Sequence, residues 1–141
     1  MQTFLPYADF DKSARLLDSK RLGKQRVENL QIAKALIDPN YGWQNHPAVK
    51  MWRGHLSTFM TYQESVCRAW TDRNYKDTCL DKTRLILANF TDGANDAPTW
   101  LGDERVHLSH RSNLLRKDPE FYATTFEATL SPDIEYYWPV Q

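Results

Sequence analysis

A chain of 141 residues fits one domain and can bury a core without disulfides or a structural metal. Its 18 basic and 18 acidic side chains cancel, which excludes a polycation that coats nucleic acid through bulk charge, so any phosphate binding must come from clustering. Aromatic residues make up 13%, supplying core volume and flat faces on which bases can stack.

There is no apolar run of membrane-span length and no basic-then-apolar leader, so a cytoplasmic protein is expected. Cys67 and Cys79 stand in no C-x-x-C spacing and are expected as reduced, buried thiols. No cofactor or metal is expected.

In chain order, Met1 to Asp11 is an apolar, irregular lead-in, with Pro6 opposing a regular helix, and it should pack down on the body. Asp11 or Ser13 can cap a first helix running to about Ile37, stopped by the Asp38-Pro39-Asn40-Tyr41-Gly42 turn. A rotation of roughly 100° per residue places Leu16, Leu22, Gly23, Val27, Leu30, Ala33 and Ile37 on one arc. Lys20, Arg21, Lys24, Glu28 and Gln31 fall on the opposite arc. Arg26 breaks the pattern: inside the apolar arc its guanidinium needs either an acid from elsewhere or a cleft where a phosphate meets it. Lys24 and Glu28, four residues apart, can also form a simple surface pair.

His46-Pro47 opens the central helix, along which Val49, Trp52, Leu56, Phe59, Met60, Gln63, Val66, Cys67 and Trp70 recur at helical spacing to about Asn74. Lys50, Arg53 and His55 lie beside its N-terminal end, where free backbone N–H groups favour anions. Leu80 to Phe90 predicts a shorter helix, and Thr91 to Pro98 a loop. A third long helix carries His107 to Lys117 and ends at Asp118-Pro119, with a helical turn or two expected over Glu120 to Phe126. His107, His110 or Arg111, and Leu114 share a face there. The two histidines lack the further ligands of a metal site and serve either as satisfied structural groups or as phosphate or base contacts. Tyr136-Tyr137-Trp138-Pro139 is an aromatic, extended tail that lies against the body or a partner.

With no strand-period pattern or internal repeat, the expected fold is all-α, one compact domain of three principal helices plus short ones. The stretches Asp18–Glu28 and His107–Lys117 are expected to face each other across DNA. The candidate DNA-binding residues are Arg21, Lys24, Arg26, His46, Arg53, His107, His110, Arg111 and Lys117.

Three passages carry a family resemblance: Leu16 to Val27; Trp52-Arg53-Gly54-His55-Leu56-Ser57-Thr58-Phe59 on to Arg73-Asn74-Tyr75; and His107 through Tyr122. The chain resembles the pyrimidine dimer DNA glycosylases of the phage endonuclease V type and, more closely, their bacterial and phage relatives. The resemblance implies a compact helical domain that binds and kinks duplex DNA and flips a nucleotide out. In that family the N-terminal α-amine attacks the sugar C1′ to form a Schiff base, a carboxylate on the first helix assists, and no metal takes part. Gln2 is too large to permit removal of the initiator methionine, so the amine is expected to be that of Met1. Aligning Arg26-Val27 with the family's Arg-Val puts Gly23, or Lys24 if one residue is inserted, where the catalytic glutamate is expected, so Glu28 is taken as the acid on helix geometry, with Asp18 the other candidate.

The expected activity is excision of a damaged or modified pyrimidine from duplex DNA by a monomer, with or without a lyase step. A phage-type enzyme processing a hypermodified pyrimidine, and a non-catalytic module that binds nucleic acid or a partner protein, are the alternatives.

Overall fold

The computed structural model describes residues 1–90 and 97–140; the predicted loop lies, up to residue 96, outside the described residues. Over the described residues the chain is all helical, as expected, and its three longest helices are those the periodicity predicts. None of these helices is long and apolar enough to cross a membrane.

The predicted first helix is two helices. Helix α1 spans Phe10–Leu16 with Asp9 as its cap, and α2 spans Ser19–Ile37 with Asp18 as its cap, accepting from Arg21 N–H. Leu17 and Asp18 between them are extended. Capping chemistry explains the break, because the carbonyls freed at the end of α1 find a donor from another helix. The Arg73 guanidinium donates to Leu17 O at 2.6 Å, Arg15 O at 3.0 Å and Ser19 Oγ at 3.0 Å. On the other side the Tyr122 hydroxyl accepts from Asp18 N–H at 3.0 Å and donates to the Asp18 carboxylate at 2.5 Å. Asp18 is thereby committed to structure.

The predicted central helix is also divided. Helix α3, Pro47–Lys50, is a single turn capped by His46, whose Nδ1 accepts from Ala48 N–H at 3.0 Å. A turn through Gly54, at φ 80°, separates it from α4, Leu56–Asp72. Helix α5 is Cys79–Leu87, α6 is Glu104–Lys117 and α7 is Pro119–Tyr122, the last a single turn where a helical turn or two was expected.

Aromatic side chains fill the centre: Trp52 stacks on Tyr62 at 5.3 Å between ring centres and meets Trp100 edge-on at 5.1 Å. Gly23 lets α2 approach α4 closely, for a Cβ there would lie 2.9 Å from the Trp70 ring. Position 23 is therefore filled by a tryptophan face and has no room for an acid.

The buried face of α2 is rotated from the apolar arc. Leu22, Gln25, Glu28, Asn29, Ile32, Ala33 and Ala35 are buried, while Val27 is 44% exposed. Hydrogen-bonded amides account for this, since a buried polar group costs little once it is paired. Gln25 Nε2 donates to Asn29 Oδ1 at 2.8 Å, Asn29 Nδ2 to Gln63 Oε1 at 2.9 Å, and Gln63 Nε2 to Thr83 Oγ1 at 3.1 Å. The chain of amides links α2, α4 and α5. Replacing Asn29 by Ala strands two buried partners and leaves a void, so Asn29→Ala should lose ~2–4 kcal/mol in a denaturant titration.

Candidate active site

Residues 2–6 cross the interior without regular secondary structure, so their backbone groups need partners from side chains. Gln25 takes two of them: its Oε1 accepts from Phe4 N–H at 2.9 Å and its Nε2 donates to Gln2 O at 2.8 Å. The Tyr62 hydroxyl donates to Phe4 O at 2.7 Å, and Trp52 Nε1–H donates to Thr3 Oγ1 at 3.2 Å.

Two histidines of α6 read the next residue. His110 Nδ1 accepts from Leu5 N–H at 2.9 Å, which places its proton on Nε2. His107 Nε2 accepts from Gly102 N–H at 2.9 Å, so its Nδ1 donates to Leu5 O at 2.8 Å. Arg111 donates to Pro6 O at 2.8 Å, pairs with Glu104 and Glu127, and lies over the Tyr7 ring. His107, His110 and Arg111 are all buried, so three predicted DNA contacts of the second basic stretch face inward and grip the N-terminal segment. Both helices do flank one element, but that element is the chain's own N-terminus.

The consequence appears at Met1. Its amine lies 3.9 Å from Glu28 Oε1, and Lys24 Nζ stands 3.9 Å from the same oxygen. Glu28 is 8% exposed. Burial pushes its carboxyl above the usual carboxylate range, against the opposing pull of the Met1 ammonium, Lys24 and the Gln2 N–H. The carboxyl faces a cleft of about 370 Å³ lined also by Gln2, Phe4, Lys20, Arg21, Lys117 and Tyr136. Arg21 is steered by Asp18 at 3.3 Å. Five predicted residues thus converge: Met1, Glu28, Arg21, Lys24 and Lys117. His46 stands near enough to feel the amine: burial first, then the Met1 charge, holds its imidazole below the ordinary range.

Two residues stand apart. Arg26 pairs with Asp77 at 2.5 Å and lies over the Trp70 ring at 4.4 Å, the acid from elsewhere that its position on α2 demanded. Arg53 donates to Gln44 O and Oε1 at 2.8 and 2.7 Å and lines a different depression with Lys50, His55 and Arg105. Cys67 and Cys79 are free and buried, as expected.

The family model for pyrimidine dimer DNA glycosylase matches residues 1–83, more than half of the 141. The chain belongs to this family. Searches of the curated proteins and of the solved structures find no match. In this pyrimidine dimer DNA glycosylase family member the matched stretch holds Met1, the Glu28 carboxylate and the cations of α2, whereas α6, which fixes the N-terminal segment, and Lys117 lie beyond it.

Sequence reasoning missed Lys20 and Tyr136 as cleft residues. Lys20 shares the arc of Arg21 and Lys24, so helical period marks it; no local signal marks Tyr136, because the tail's docking is tertiary.

The buried groups give opposite pH dependences. His110 is held down to about 3 from 6.5 by burial, so the unfolded chain takes its proton first. Its contribution is intact above about pH 6.5 and is lost as pH falls toward 3, by at most about 1.4 kcal/mol per pH unit. Glu28 is raised, so its ionisation costs stability as pH rises through its folded value. Glu28→Gln removes this cost, so paired melts of the two proteins should show the variant gaining on wild type as pH rises from acid to neutral, whatever His110 contributes to both.

Proposed function

We propose that the protein excises a damaged or modified pyrimidine from duplex DNA, with the Met1 amine as nucleophile and Glu28 as the assisting carboxyl group. The observation that carries this reading is the amine 3.9 Å from a desolvated carboxylate, inside a cleft with four cationic side chains. A module that only binds DNA has no use for a buried carboxylate that costs stability.

The steps follow from the atoms present. Glu28 takes a proton from the Met1 ammonium, and the freed amine attacks C1′ of an extruded nucleotide. The glycosidic C–N bond breaks, its electron pair leaving with the base, which is then protonated. The attached nitrogen gives up a proton and its lone pair expels O4′ from C1′; O4′ takes up a proton, and the ring-opened sugar remains joined to Met1 as an iminium whose positive charge the carboxylate faces. Loss of a proton from C2′ then expels the 3′ phosphate, which is the lyase step. Lys20, Arg21, Lys24 and Lys117 hold the flanking phosphates, offsetting the few kcal/mol that extrusion costs.

Borohydride added to protein mixed with ultraviolet-irradiated or abasic duplex should trap a covalent adduct, and peptide mapping should place it on Met1. Acetylating the amine, or extending the chain ahead of it, should abolish the adduct. Glu28→Gln should slow its formation by about 100-fold or more with the fold intact. Absence of an adduct from both duplexes sinks the amine mechanism. Separately, Lys24→Ala and Lys117→Ala should each reduce the slope of log affinity against log salt by about one; slopes equal to wild type would remove those residues from the phosphate contacts.

A further inference from the structure

Trp43 is 56% exposed, and its backbone lies in the left-handed region at φ 70°. The adjoining Gly42, which would adopt that conformation at no steric cost, does not. A bulky side chain there is strained, and apart from an edge-on contact with the His46 ring little packing offsets the strain, a pattern associated with functional positions. The turn is nonetheless fixed. Trp43 O accepts from His46 N–H at 3.0 Å, Gln44 Nε2 donates to Ala35 O at 2.7 Å and also to Asp38 O, and Arg53 holds Gln44 from the other side. The indole is thus presented on a rigid support.

Its position ties it to the amine. Trp43 meets the His46 ring edge-on at 5.8 Å between centres, His46 meets Trp138 at 6.2 Å, and Trp138 lies 5.5 Å from Tyr136, which lines the cleft. A row of rings runs from the open indole to the cleft that holds Met1 and Glu28. When a nucleotide leaves the duplex, a neighbouring base loses its stacking partner, and an exposed aromatic face replaces that contact without regard to sequence.

We infer that Trp43 is a base-stacking residue, its indole face taking a nucleobase left unstacked when a nucleotide is extruded toward Met1. This rests on the base-excision reading above. The test uses two duplexes that each carry 2-aminopurine, one beside an abasic site and one fully paired. Trp43→Gly should bind the abasic duplex about 10- to 100-fold more weakly than wild type, bind the paired duplex equally, and no longer quench the 2-aminopurine. Trp43→Phe should retain most of both. The melting temperature of Trp43→Gly should be unchanged or higher, because glycine relieves the backbone. Wild-type affinity for the abasic duplex in Trp43→Gly, an equal loss on both duplexes, or a lower melting temperature would each overturn the assignment. Borohydride trapping of wild-type protein runs alongside: its failure counts against the amine chemistry, while the affinity ratio and the quench still report on stacking.

Discussion

The structure depends on how residues 2–6 are held. That segment has no helical or sheet partner, and a buried backbone without partners is too costly to persist. Gln25 from α2, Tyr62 from α4, and His107, His110 and Arg111 from α6 supply the missing bonds. Three helices therefore converge on one strand of chain, and the geometry they enforce sets the amine of Met1 beside Glu28. Fold and candidate chemistry share the same hydrogen bonds.

Charge is distributed to match. The chain is neutral overall, yet Lys20, Arg21, Lys24 and Lys117 gather around a single carboxylate, while Arg26, Arg73 and Arg111 spend their guanidinium groups inside the protein. Arginine suits those interior tasks because its planar fork serves several acceptors at once and one face can lie on an aromatic ring. Lysine suits the rim, where a flexible point charge can follow a phosphate. Arg21, held by Asp18, is the arginine that joins the lysines at the cleft.

Two unfavourable features are sustained by the rest of the fold. Glu28 is desolvated against its charge, and Trp43 holds a left-handed backbone. The amide chain from Gln25 through Asn29 and Gln63 to Thr83 holds α2 around Glu28, and the bonds of Gln44 to Ala35 and Arg53 hold the turn at Trp43, which gives such features the rigid surroundings they require.

By itself the sequence determined the helical class, the three long helices and the punctuation at Asp38-Pro39 and Asp118-Pro119, because helical period and proline stops are local properties. The apolar stripe of α4 and the polar run of Lys20, Arg21 and Lys24 were legible for the same reason, and the run led to the cleft. What stayed hidden depends on distant partners. The break before α2 needs Arg73 and Tyr122; the burial of Glu28 and Asn29 needs Met1 and Gln63; the inward turn of His107 and His110 needs Leu5, more than a hundred residues away in the chain. A side chain's type and spacing settle which helix face it occupies, but whether a polar face meets water, DNA or another segment is decided only when tertiary packing sets the partner against it.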